Sequence, residues 1–197
     1  MEEMNSRKRI QLPMIALTIG SCIIVLLSSI MLFNRELNNS MAEKINVAAM
    51  VAEHQLNDLK EISRLAVIGM AKNTDLHRAI INNNREDIES MSILLKNMTH
   101  LDYCTIIDRE GNVLTRTNAP DLYGDNVYHQ PHIRSALDGK TEVFIIEGHT
   151  IRFGVSAGAP IYDENMNIIG VISMGFLLDR QSVVTRLKEI TNCEIAI

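Results

Sequence analysis

Along Ile151 to Ser156 apolar and polar side chains alternate, so in an extended chain Ile151, Phe153 and Val155 share one face and Arg152, Gly154 and Ser156 the other. An arginine there can hold a carboxylate through two parallel hydrogen bonds; the plainer alternative is a solvated arginine on an exposed sheet. In Tyr128-His129-Gln130-Pro131-His132-Ile133-Arg134, Tyr128 and His132 are four apart and share a helical face that Arg134 cannot join. His129 and His132 are three apart and could begin a metal site with Asp125 or His149. Zinc-like ions need three or four converging ligands, so no metal is expected. There is no G-x-S-x-G turn, and neither Cys104 nor Cys193 sits in a catalytic motif. No catalytic residue, enzyme activity or cofactor is expected, and the chemistry on offer is recognition.

The elements that must position these residues begin in a membrane. Pro13 to Phe33 carries no charged side chain and follows Arg7, Lys8 and Arg9. About 20 apolar residues in a helix span a ~30 Å hydrocarbon core, longer than a secretory h-region of about 7–15. Asn34-Arg35-Glu36-Leu37 follows in place of an A-x-A cleavage site. The basic tail places the N-terminus in the cytoplasm and everything after Asn34 outside. A cleaved signal peptide is the alternative.

Without Arg7, Lys8, Arg9, Glu2 and Glu3, the exterior part keeps 16 of the 19 basic and 22 of the 24 acidic side chains, a formal charge of −6. No nucleic-acid partner is expected, because such binding needs a clustered basic face. Tryptophan is absent and aromatics are few, which weakens a carbohydrate-stacking or single-strand-binding surface. Cys22 lies in the membrane run; Cys104 and Cys193 fall in strand-like stretches, either as buried free thiols or as a pair.

From Arg35 to about Lys72, apolar residues recur at helical spacing: Leu37, Met41, Ile45, Ala48, Ala52, Leu56, Leu59, Ile62, Leu65 and Ile68. A helix of that length reaches ~57 Å, so part of it is expected to pair with a second copy and part to pack on the domain. Thr74 or Asp75 can cap a segment through Ile81, and Asn82-Asn83-Asn84 precedes a helix from about Arg85 to Met98. Strands are predicted at Asp102–Ile107 and Val113–Thr117, with Gly111 turning between them. After a loop over 118–126, Tyr128 to Leu137 fits a short helix ended by Asp138-Gly139. Strands Val143–Glu147, Ile151–Tyr162 and Ile168–Leu178, a helix Arg180–Thr191 and an alternation at Cys193, Ile195 and Ile197 complete the chain. It stops within a strand-like pattern, as though a longer protein had been cut there.

Three blocks are more specific. Ile107-Asp108-Arg109-Glu110-Gly111-Asn112-Val113-Leu114 resembles the D-x-x-G-x-V hairpin of extracytoplasmic PAS-like sensors. Ala136-Leu137-Asp138-Gly139-Lys140 resembles their A-L-x-G-K helix end. Ala157-Gly158-Ala159-Pro160-Ile161-Tyr162-Asp163, followed by Ile168-Ile169-Gly170-Val171-Ile172 and Gly175, resembles their A-P-I-Y-D … I-I-G-V-I-x-x-G meander. Together they resemble the Cache superfamily, and the order from Arg116 to Asp125 looks most like Cache type 3 of bacterial methyl-accepting chemotaxis proteins.

The elements read above make an α+β chain, a cytoplasmic tail (1–12), a transmembrane helix (13–33), a long amphipathic helix and helical connection (34–99) and an antiparallel sheet (100–197), which the resemblance implies is a PAS-like sheet of five to six strands. One sheet face packs on the long helix and the other holds a small ligand. Arg152, Ser156, Tyr128 and His132 are then the candidate ligand residues, with Arg116 and Tyr123 closing the same cavity. The ligand is an anion if an arginine receives it. The Arg, then Trp-Tyr triplet of amino-acid-binding members is missing. The expected function is the membrane-anchored, extracytoplasmic sensing region of a chemoreceptor, homodimeric through its long helix. The alternatives are a sensor histidine kinase or diguanylate cyclase ectodomain, or a scaffold that binds only protein.

Overall fold

In this computed structural model, residues 2–147 and 151–178 are described. The chain divides into two compact units, Met1–Ala49 and Met50–Ile197. Helix α1 (Glu2–Met70) continues through Pro13 and Gly20, so the predicted membrane and amphipathic helices are one element. An 18-residue window in Ile19–Met70 reaches a mean hydropathy of 1.5 with none of it buried, long and apolar enough to cross a membrane.

In the second unit α1 buries Ser63 and Val67, while Ile62 and Leu65 of the expected stripe are exposed. A serine can sit on the packed face because its hydroxyl donates to the Leu59 carbonyl at 2.8 Å and needs no water. Helices α2 (Thr74–Ile81) and α3 (Arg85–Thr99) follow. Asn73, rather than Thr74 or Asp75, caps α2 by accepting from the Leu76 N–H, and Asn84 caps α3 by accepting from the Asp87 N–H.

The sheet consists of β1 (Tyr103–Asp108), β2 (Val113–Arg116), β3 (Glu142–Ile146), β4 (Gly154–Tyr162) and β5 (Ile168–Leu177), with α4 (Pro131–Leu137) between β2 and β3. The five strands run β2-β1-β5-β4-β3, every neighbouring pair antiparallel. The helix and final strand predicted after Arg180 lie outside the described residues. Both flanking hairpins close with the same device. Asp108 accepts from the Glu110 and Asn112 backbone and the Asn112 side chain, as Asp163 does from Asn165 and Asn167. The left-handed position falls on Gly111 in one turn and on Met166, φ 64°, in the other.

Two boundaries correct the sequence reading. Helix α4 starts at Pro131 and excludes Tyr128: proline fixes its own φ and pushes Gln130 to an extended ψ of 130°. Strand β4 starts at Gly154 and excludes residues 151–153, so the alternation expected from Ile151 does not reach that far.

The sheet is covered on both faces. On one, Cys104 and Ile106 of β1, Ala157, Ala159 and Ile161 of β4, and Ile172 and Met174 of β5 form a cluster with Val67, Leu76, Ile88 and Leu95 from the helices. Cys104 there is a buried free thiol, its pKa pushed up by burial; Cys193 lies outside the described residues. On the other face Ile107, Val113 and Val171 pack with Ile133 and Ala136 of α4.

Candidate ligand cavity

Cross-strand register places the polar residues on the α4 face. Arg116 pairs with Thr105, Thr105 with Ser173, and Ser173 with Gly158, so four strands contribute one lateral row. One step along, Tyr103, Gly175 and Ser156 form a second row. A β-bulge between Ile106 and Ile107 keeps both Val113 and Arg116 opposite residues of the α4 face, although three positions separate them.

Two glycines allow this face to form. A Cβ on Gly158 would lie 2.4 Å from the His132 carbonyl oxygen, so α4 can rest on β4 and lower His132 onto the sheet only where that side chain is missing. A Cβ on Gly175 would meet the Val155 carbonyl and come within 2.9 Å of the Tyr103 hydroxyl. Its absence lets the Tyr103 phenol reach across β5 to bond the Ser156 hydroxyl.

Between α4 and these rows lies a cavity of about 30 Å³, enough for about two waters. Tyr103, Thr105, Arg116, Gln130, His132 and Ser173 supply its polar lining, and Ile107, Val127, Ile133, Ile146 and Ile151 the apolar part. His132 is 1% exposed; its Nε2 lies 3.0 Å from the Ser173 hydroxyl and its Nδ1 has no partner among the described residues. Burial lowers its pKa to about 4, so at neutral pH it is an uncharged imidazole able to donate or accept one further hydrogen bond. Burial pushes the Tyr103 phenol well above its ordinary value, so it too stays neutral. The Arg116 Nη2 meets both Asp125 carboxylate oxygens at 2.8 Å.

The structure thus brings Arg116 and His132 into the cavity wall, with Ser156 one hydrogen bond behind it through Tyr103. It does not bring the other three expected residues there. Arg152 is exposed and Ile151 takes the inward position, because both precede the regular strand. Tyr128, outside α4, is exposed. Tyr123 lies under the Arg85 guanidinium, 3.3 Å from its ring centroid, in a separate and wider groove of about 460 Å³. Of its lining side chains Asn83, Arg85 and Tyr123 are exposed, and Asp108 on it already serves the turn.

Tyr103, Thr105, Gln130 and Ser173 were missed from the sequence. Tyr103 and Thr105 share parity within an apolar strand, and Ser173 interrupts the run Ile168 to Leu177 with a hydroxyl; either was a usable signal. Among the described residues no three His, Cys, Asp or Glu side chains converge as metal ligands.

Residues 34–188 match the family described as single cache domain 3. No curated protein sequence matches the chain. Among solved structures, the E. coli DcuS sensor domain is similar at 19% identity and TM-score 0.56, covering 70% of this chain and 97% of that one. The sensor domain of the V. cholerae histidine kinase DctB gives 19% and 0.58, covering 74% of this chain and 57% of that one. The sensory domain of the Campylobacter jejuni chemoreceptor Tlp3 with isoleucine bound gives 13% and 0.52, covering 78% and 62%. At such identities the likeness is one of fold. The family match spans most of the chain and carries the same α+β architecture, so the chain belongs to the single Cache domain 3 family of sensor domains.

Proposed function

We propose that this chain is the membrane-anchored, extracytoplasmic ligand-sensing region of a bacterial chemoreceptor, taking a small and preferably anionic molecule between α4 and the sheet. One observation carries the reading. Arg116, His132 and Ser173, each at most 5% exposed, converge with Thr105 on one cavity, and His132 Nδ1 has no partner among the described residues. Buried polar groups cost stability unless bonded, so a cluster with an unused nitrogen fits a site completed by a ligand. Arg116 receives the acid group and neutral His132 fixes orientation. Ser156 supports the floor through Tyr103, while Tyr123, Tyr128 and Arg152 contribute only to a ligand that extends beyond the cavity.

The basic tail and the apolar part of α1 support a cytoplasmic N-terminus with the domain outside. Exposed Leu37, Met41 and Ile45 on α1 support pairing with a second copy. Because the cavity is small, a ligand of several heavy atoms widens it and so shifts the elements around it, which is how occupancy becomes a signal. The DctB sensor domain among the similar folds favours a histidine-kinase ectodomain as the second reading, with the same site and a different output.

The test is a thermal-shift screen of the full chain in detergent against organic acids, amino acids, amines and purines, with metal ions as controls. A ligand at 100 times its Kd adds about 2.7 kcal/mol to stability. The expected result is an acid that raises Tm in the wild type and not in Arg116→Ala. A hit indifferent to both Arg116→Ala and His132→Gln places the ligand elsewhere. Silence from folded protein favours the scaffold.

A further inference from the structure

Arg116 is the one permanently cationic side chain among the described residues that line the cavity, and it is already engaged. Its partner is built differently from itself: the Arg116 side chain is 6% exposed and that of Asp125 54%. The Asp125 backbone is held in place. The Val113 N–H donates to the Asp125 carbonyl at 2.9 Å, the Gly124 N–H to Val113 and the Val127 N–H to Gly111, both at 2.8 Å. The Asn126 amide donates to the Glu110 carbonyl and to Asn112 Oδ1. Residues 124–127 therefore lie like a further strand along the free edge of β2, and the half-exposed Asp125 side chain reaches from it to Arg116. Its contact is a fork on Nη2 alone, which leaves Nε and Nη1 outside it.

We propose that Asp125 is a specificity-determining residue: as a resident carboxylate on Arg116, it denies the cavity to simple anions and admits only those that also bond the groups around His132. The inference rests on the ligand cavity proposed above. Exchanging one carboxylate for another on the same guanidinium is nearly neutral, since Arg116 stays paired throughout. Asp125, half in water already, regains hydration easily when displaced. A simple anion therefore gains little by entering. Net affinity must come from what the newcomer offers that Asp125 cannot, namely contacts with His132 Nδ1, Ser173 and Thr105. Without Asp125, Arg116 would be a buried, uncompensated cation that takes almost any small anion.

The experiment titrates acetate, and separately inorganic phosphate, into the full chain and its Asp125→Asn variant, reading Kd from the concentration dependence of Tm. Asp125→Asn is expected to bind acetate at least about tenfold more tightly than the wild type, a step of about 1.4 kcal/mol. The double variant Arg116→Ala/Asp125→Asn is expected to lose that gain. Asp125→Ala, which keeps every backbone bond of the 124–127 segment, serves as the second variant if the amide perturbs folding. Equal or weaker acetate binding in the Asp125 variants overturns the proposal, as does a gain that survives removal of Arg116. The two readings fail separately. A screening hit lost in Arg116→Ala without any acetate gain in Asp125→Asn leaves the sensor standing and removes Asp125 from it. Acetate gain without any wild-type hit does the reverse.

Discussion

The two faces of the sheet are made from alternate residues of the same strands, and they are finished in opposite ways. Toward the helices, Ala157, Ala159, Ile161, Ile172 and Met174 meet Val67, Leu76, Ile88 and Leu95 in an apolar contact. The buried hydroxyls on those helices are satisfied locally, Ser63 by Leu59 and Ser92 by Glu89. Toward α4, Tyr103 bonds Ser156 and His132 bonds Ser173, two pairs that together involve three strands and a helix. The first face obtains stability from area, the second arranges polar groups at some expense of stability. Division of labour within one five-stranded sheet is the lesson: packing on one side holds rigid the strands that position a polar cluster on the other.

The sharpest way to break the contrast is to damage the packed face. Ile161→Ala removes a fully buried side chain from it and is expected to lower stability by about 2–5 kcal/mol, read by denaturant unfolding of the full chain in detergent. A loss under about 1 kcal/mol would mean that this face is less tightly packed than its burial suggests.

Next in size is a pH effect confined to the other face. His132 titrates near 4 in the folded protein and near 6.5 once unfolded. Between those values the unfolded chain takes up a proton that the native state refuses. Its contribution is therefore complete above pH 6.5 and is lost as the pH falls toward 4, by about 3 kcal/mol in all. Tm measured from pH 7.5 to 4 should fall more steeply in the wild type than in His132→Gln. Parallel curves would mean that the imidazole charges freely and is not sealed.

A smaller effect of opposite sign tests why an unsatisfied atom is present at all. The Thr115 hydroxyl, opposite Ile106 of the helix-facing cluster, is buried without a partner among the described residues. On a face that serves only packing, Thr115→Val should stabilise by about 1 kcal/mol, because the methyl replaces an unbonded oxygen at similar volume. Destabilisation would point to a polar role for that face too.

Smallest of all, Arg152→Ala lies outside both faces and should change unfolding free energy by less than about 0.5 kcal/mol. It should also leave the affinity of any acid found by screening unchanged. Lost affinity would extend the site beyond the cavity wall.

Much of this architecture could be read from residue order. Unbroken helical spacing through Gly69, the Asp108–Asn112 and Asp163–Asn167 turns, Gly139 after the short helix and the apolar strands between them carry local signals, because turns, caps and periodicity act over a few residues. The lining of the cavity was legible only in part. His132 carries a signal in its four-residue spacing to Tyr128, Arg116 in its place on the strand before the loop, and Ser156 in an alternation that holds from Gly154 onward. Arg152 failed the same rule two residues earlier, where the chain is not yet a strand. Tyr128 failed because Pro131 sets the helix start later than the apolar pattern suggests.

By itself, then, the sequence determined the kind of elements, their order and the family, since each rests on local conformational preference or on a motif read along the chain. Only the tertiary structure decided which polar residues meet. The row Arg116–Thr105–Ser173–Gly158 joins positions up to 68 apart through strand register, and a single bulge at Ile106 and Ile107 sets which face Arg116 joins. Register depends on how whole strands bury their apolar faces together, and a one-residue slip would turn every side chain to the other side. Its physical basis is cooperative and non-local.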